Sequence, residues 1–320
     1  MIWRIVAVLM LCSVSNVQAQ SFPSKPVRII TAFPIGSGPE GVGRLVAEKL
    51  SKNWGVPVTI ESKPGGNGFI AIDSFKRGAN DGTDLILLDN VHFTAYPHLF
   101  RKLPYDPKSD FEVVIPLFRT YFFVTVASDS KYKSVGDILS DARANPGKLN
   151  YGSWSVGNPV HLGSALLEAR SGVEMQHVIY KETSQLYTAV STGELAFALG
   201  SNATAGPLFR AGKLKYIAIA APHRLIGYKE IPTVAESGGP KDFEVSGGTV
   251  IVAPKGLPRA VVEKINNDIA HALVEPDLRE KFASFGYEPV AANREQFSLY
   301  LQAESVRQSA VIEKAKAALD

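Results

Sequence analysis

The sequence predicts an α/β protein of two lobes with mostly parallel sheets, and two observations carry the prediction. Strand-like and helix-like patterns alternate along almost the whole chain, the arrangement that lays helices over parallel strands. Two distant segments, FFVTVASDSKYKSVGDIL and GTVIVAPKGLPRAVVEKI, share one plan: apolar strand, polar turn, helix. They read as the two places where the chain crosses between lobes. The first lobe then combines residues 20–127 with 245–320, and the second is 128–244. With 320 residues and 45% apolar side chains, the chain can bury a real core in each.

The elements follow in order. Val27–Phe33 reads as a strand and Pro39–Asn53 as a helix. Strands at Val56–Ile60 and Asp84–Leu88 flank a helix near Phe69–Arg77. Next come strand Phe122–Ala127, helix Val135–Asn145, strand Leu149–Gly152 and helix Pro159–Arg170. Strand Val178–Tyr180, helix Thr183–Thr192 and strand Leu195–Leu199 continue the alternation. Strands Tyr216–Ala220 and Thr249–Ala253 precede helices Pro258–Val274, Pro276–Phe285 and Arg294–Ala318.

The N-terminus carries a different signal. Arg4, an apolar run from Ile5 to Val14, and Val17-Gln18-Ala19 form the plan of a secretory leader cleaved after Ala19. The run is too short for a membrane span. Cleavage removes Cys12, the single cysteine, so neither a disulfide nor a cysteine metal site is expected in the mature chain. The histidines show no metal-ligand spacing. Net charge is +3 with no basic run, which gives no nucleic-acid footprint.

Several loops follow strands and open helices. In FPIGSGPEGVGR, Gly36-x-Gly38-x-x-Gly41 has the spacing of a dinucleotide-binding turn, and Glu61 stands about 20 residues on, where a ribose-binding acid would lie. Bare N–H groups at a helix start also bind other anions. A phosphate loop is excluded, because no Lys-Ser/Thr pair follows the glycines. In YGSWSVGNPVHL, Asn158 caps a helix with Pro159 at its first position. Ser153-x-Ser155-x-Gly157 half-resembles a nucleophile elbow, with Ser155 as nucleophile and His161 or His177 as base, but lacks the first glycine. Asp89-Asn90, Tyr180-Lys181 and Ser201-Asn202 follow other strands.

Taken in order, FPSKPVRIITAFPIGSGPEGVGRLVAEKL, VPVTIESKPGGNG, DGTDLILL, YPHLFRKLPYDPKSDFE, ANPGKLNYGSWSVGNPVHL, AGKLKYIAIAAPHR, IPTVAESG and VAPKGLPRAVVEKIN resemble the substrate-binding proteins of tripartite tricarboxylate transporters, the Bug family. The resemblance covers nearly the whole mature chain. It implies a two-lobe periplasmic binding protein fold, of the Venus flytrap kind, closing on a small organic acid that is delivered to membrane subunits. It implies no enzyme activity and no cofactor, and a monomer is expected. Phe33, Pro34, Gly36 and Gly38 match the family's first ligand loop and Arg44 the arginine after it. Ser153, Gly157 and His161 match the second loop, and Tyr180-Lys181 a third.

Departures from the family pattern are specific. Ile35 stands at the second proline, Ser37 at the middle glycine and Pro39-Glu40 at Thr-Asp. Asp89-Asn90 replace small polar residues, Trp154 a small residue, and Ser155 a frequent glycine. Gly200, followed by Ser201, stands where an acid is common. Two readings stay open: Asp89 disfavours a nearby carboxylate and Trp154 offers a face to a ring, which expects an aromatic or amphiphilic acid with a donor group for Asp89, or Asp89 caps a helix and Trp154 packs between the lobes. The alternatives are a periplasmic sensor of the same fold, an exported nicotinamide-dependent oxidoreductase and an exported serine hydrolase.

Overall fold

The computed structural model describes residues 22–290 and 292–315. The predicted leader, residues 1–19, lies outside them. In chain order the first group of elements is β1 (Val27–Thr31), α1 (Gly38–Trp54), β2 (Val58–Ser62), α2 (Phe69–Lys76), β3 (Asp84–Asp89), the single turns α3 (Val91–Thr94) and α4 (Tyr96–Leu99), and β4 (Phe111–Tyr121). The second group is β5 (Phe123–Ala127), α5 (Val135–Ala144), β6 (Asn150–Ser153), α6 (Pro159–Ser171), β7 (Gln176–Ile179), α7 (Thr183–Ser191), β8 (Ala198–Gly200), α8 (Gly206–Arg210) and β9 (Leu214–Ile219). The chain ends with β10 (Ser246–Pro254), α9 (Arg259–Leu273), α10 (Pro276–Phe285), β11 (Tyr287–Pro289) and α11 (Arg294–Ala315).

A six-stranded sheet has the order β11-β4-β10-β3-β1-β2. A three-stranded sheet, β8-β5-β9, and the pair β6-β7 form the other half. The expected excess of parallel pairing is corrected here. Among the described strands, β1 with β2, β1 with β3, and β6 with β7 form parallel ladders. The ladders of β4, β5, β10 and β11 are antiparallel. The cause is the route of the chain. It leaves the large sheet at the end of β4 and re-enters beside that point as β10, between β4 and β3, so β10 runs against both neighbours.

The first crossing lies earlier than the sequence placed it. Phe123–Ala127 pairs with β8 and β9, not with the large sheet. The chain therefore changes sheets between Tyr121 and Phe123. β4 itself escaped the sequence reading because Pro116 sits in its middle, and proline is rare in central strands. The structure accommodates it at a shift in register, where Val250 pairs with Pro116 but Thr249 with Phe118.

Alternate residues of the large sheet feed two cores. Ile29, Leu85, Leu87 and Ile251 pack with residues of α1, α9 and α10, while Ile30, Ile86, Leu88, Val250 and Val252 pack with α2 and α11. The second group has its own cores around Val124, Ile138, Leu167 and Phe197, and around Phe123, Tyr187 and Ile219. Helix α11 joins the halves. Phe297 and Leu301 lie in the first, Val311 packs on the second, and Ile312 meets Ala95, Tyr96, Leu99 and Leu162.

Candidate ligand-binding cleft

The strand ends of the large sheet and the loops after β6 and β8 face each other. Three contacts tie the halves at this seam. Asn202 Nδ2 donates to the Ser284 carbonyl at 2.8 Å. A side chain at Gly38 would come within 3.0 Å of Ala203 Cβ and 2.2 Å of Tyr287 Oη, so the backbone there approaches as only glycine allows. Likewise a Cβ at Gly157, whose φ is +80°, would run into Leu99.

The first loop spends its donors internally. Gly36 N–H donates to Glu40 Oε2 at 3.1 Å, and Arg44 holds the other Glu40 oxygen. Glu40 is itself buried. Ser37 caps α1 by accepting the Glu40 N–H. The positive helix start is thus met by the protein's own carboxylate, the physical argument against a dinucleotide there. Glu61 is likewise engaged, paired with Lys63 at 2.7 Å and Arg28 at 2.9 Å; Lys63 above all, then Arg28, holds its carboxyl below the usual range. Phe33 is partly buried against the core, and its N–H bonds Thr31 Oγ1. Pro34 is exposed, and Ile35 is 79% exposed at the rim.

The second loop is held from beneath. Ser153 is fully buried, with its hydroxyl on the Ser155 carbonyl at 2.9 Å and 2.7 Å from His177 Nε2. His161 stacks on His177 at 4.1 Å and accepts the Gly157 N–H at Nδ1. Burial, then the neighbouring His177, pushes His161 down to about 4. Asn158 Oδ1 caps α6 by accepting the Val160 and His161 N–H groups, and its Nδ2 donates to the Ser155 carbonyl. Ser153, Asn158 and His161 therefore shape the loop, while Trp154 and Ser155 are partly exposed on it. The serine–histidine contact uses Ser153, not the Ser155 that the elbow pattern singled out.

The third and fourth loops behave similarly. Tyr180 donates its N–H to the Ser153 carbonyl and its O–H to Glu194, and Lys181 is exposed. Ser201 is buried in a turn with Thr204.

The floor of the cleft belongs to the large sheet. Asp89 ends β3, opposite Thr249 of β10. Its Oδ1 accepts the Val91 N–H at 3.0 Å. Asp89 retains some exposed surface, yet the packing around it pushes its carboxyl up to about 6. Its charge in turn adds to the burial that raises the Tyr96 and Tyr287 phenols. Tyr287 stacks on Phe118 at 3.9 Å. Asn90 lines a small pocket at the crossing strands, one that Asp89 also touches, and its Oδ1 has no partner. Thr249, Tyr287, Tyr96 and Ala203 were missed by sequence reasoning. The signal available for Thr249 was its position at the start of a strand expected to cross between lobes.

The family model described as tripartite tricarboxylate transporter family receptor matches residues 42–317. The chain belongs to this family. A relative of this receptor is the UPF0065 protein in the tcbD-tcbE intergenic region of Pseudomonas sp. strain P51, 29% identical over 92% of this chain and 88% of that one. Protein BugT of Bordetella pertussis is 26% identical over 95% and 93% of the two chains. Among solved structures, R. palustris Rpa4515 with adipate superposes with a TM-score of 0.85 at 27% identity, covering 92% of this receptor and 98% of that chain. MatC of Rhodopseudomonas palustris with bound malate gives 0.81 at 26%, covering 91% and 100%. The receptor thus has the two-lobe fold of periplasmic binding proteins and belongs to a solute-binding family.

Proposed function

We propose that this receptor is exported, closes its lobes on a small organic acid and hands that acid to the membrane subunits of a tripartite transporter. The observation that carries the reading is the double crossing at one point of the fold, the mark of a hinge. Tyr121 and Ser246 are register partners, and Ala220 hydrogen-bonds both neighbouring residues, giving its N–H to Phe122 and accepting from Val245. On this basis the lobes divide at 121/122 and 245/246. Rpa4515 with adipate and MatC with malate support a carboxylate as the solute class. Trp154 adds a flat apolar face on the second lobe and favours a ring or an amphiphilic chain. The protein works as a monomer without a cofactor.

A thermal-shift screen of the mature chain tests this. Aliphatic mono-, di- and tricarboxylates, aromatic acids and a dinucleotide form the panel. An acid at 100 times its Kd should add about 2.7 kcal/mol of stability. A response to one acid class fits the reading, and a response to the dinucleotide alone overturns it.

A further inference from the structure

The cleft floor holds unpaired polar groups of a particular kind. Asp89 and Thr249 are cross-strand partners, which puts their side chains on the same sheet face. The Asp89 carboxylate has one hydrogen-bond partner, the Val91 N–H, and no ion-pair partner among the described residues. Thr249 is 2% exposed, and its Oγ1 has no partner at all. Of the charged groups that line the same small pocket as Asp89, Arg307 is spent on Glu304 at 2.8 Å and Glu244 is itself an acid, so none of them pairs with Asp89. Tyr96 and Tyr287 are phenols whose ionisation burial opposes. His92 lies with its ring nitrogens 3.0 and 3.1 Å from the backbone carbonyls of Asp89 and Asn67, not on the Asp89 carboxylate. A desolvated carboxylate beside an orphaned hydroxyl lacks hydrogen-bond donors, and each missing donor carries a cost.

We propose that Asp89 and Thr249 form a subsite for a protonated amine, so that the captured solute is an acid bearing an ammonium group at the end opposite its carboxylate. The proposal rests on the reading that the cleft takes a small organic acid. The ammonium supplies the donors that Asp89 and Thr249 lack, and its charge offsets the buried one. A second carboxylate at that end is repelled by Asp89, so the floor selects against diacids as well as for amines.

Calorimetric titration with matched pairs tests the subsite: glutarate with 5-aminopentanoate, adipate with 6-aminohexanoate, and terephthalate with 4-(aminomethyl)benzoate. In at least one pair the amine should bind about tenfold or more tightly than its diacid, and Asp89→Asn should abolish that preference. Thr249→Val should weaken the same amine while leaving the melting temperature unchanged or higher, since it removes a buried unpaired hydroxyl. Diacids binding as tightly as the amines in every pair, or a preference that survives Asp89→Asn, overturns the subsite alone. Binding of no member of any pair overturns the subsite, and a thermal-shift screen in which no acid responds overturns the organic-acid reading as well.

Discussion

Tyr121 and Ser246 face each other at the last rung of the β4–β10 ladder, and one residue beyond each the chain enters the other lobe's hydrogen-bond network. The two crossings therefore lie side by side. Helix α11 is the third link, and through Val311 and Ile312 it leans on the second lobe.

That third link is testable. Ile312 is 3% exposed among Ala95, Tyr96, Leu99 and Leu162. Ile312→Ala should cost about 2–4 kcal/mol in urea unfolding, the usual range for a buried isoleucine. A cost below 0.5 kcal/mol would show that α11 does not clamp the lobes.

Gly38 sets how closely the lobes approach. In Gly38→Ala the new methyl meets Tyr287 Oη and Ala203 Cβ. Opening the lobes relieves the second clash without unfolding either core. The variant should keep its circular dichroism spectrum and lose affinity by about tenfold or more in calorimetry.

The hydroxyl of Ser153 ties the loop after β6 to His177. Ser153→Ala leaves His177 Nε2 without its partner in a site where burial already holds the imidazole below its ordinary pKa. The expected loss is about 1–3 kcal/mol in urea unfolding.

Asp89 makes a pH prediction with a definite sign. Its folded carboxyl protonates near 6, against 3.8 for the unfolded chain. Between those values the folded state binds more protons, so this group's contribution is full below 3.8 and is lost as pH rises through about 6. Asp89→Asn cannot ionise, and should gain on wild type by about 2 kcal/mol between pH 4 and pH 7. Burial of His161 acts in the opposite sense, since its stability is present above 6.5 and lost as pH falls through about 4. It is common to both proteins and cancels in the comparison. Unfolding at the two pH values checks the difference.

The sequence made most of the fold legible because its strands and helices carry strong periodic or capping signals. Asn158-Pro159 marked the start of α6 to the residue, and Gly55 closes α1 in the left-handed conformation just past the expected end. Pro116 hid β4, and short α3, α4, α8 and β11 fell below any periodic signal. The loops of the cleft were legible as loops. Their side-chain roles were not, because whether Ser153 faces a solute or His177 depends on a residue 24 positions away. Thr249 and Tyr287 came to the cleft floor through sheet order, which no local pattern encodes.

Lobe closure on an acid is the central claim, and a distance measurement reaches it most directly. Ile70 and Ile179 are exposed, one in α2 and one in β7, and the chain's single cysteine, Cys12, lies in the predicted leader. Spin labels on Ile70→Cys and Ile179→Cys should report a broad distance distribution in the free protein. Saturation with the acid found by thermal shift should make it shorter and narrower. An unchanged distribution at saturation would contradict the account.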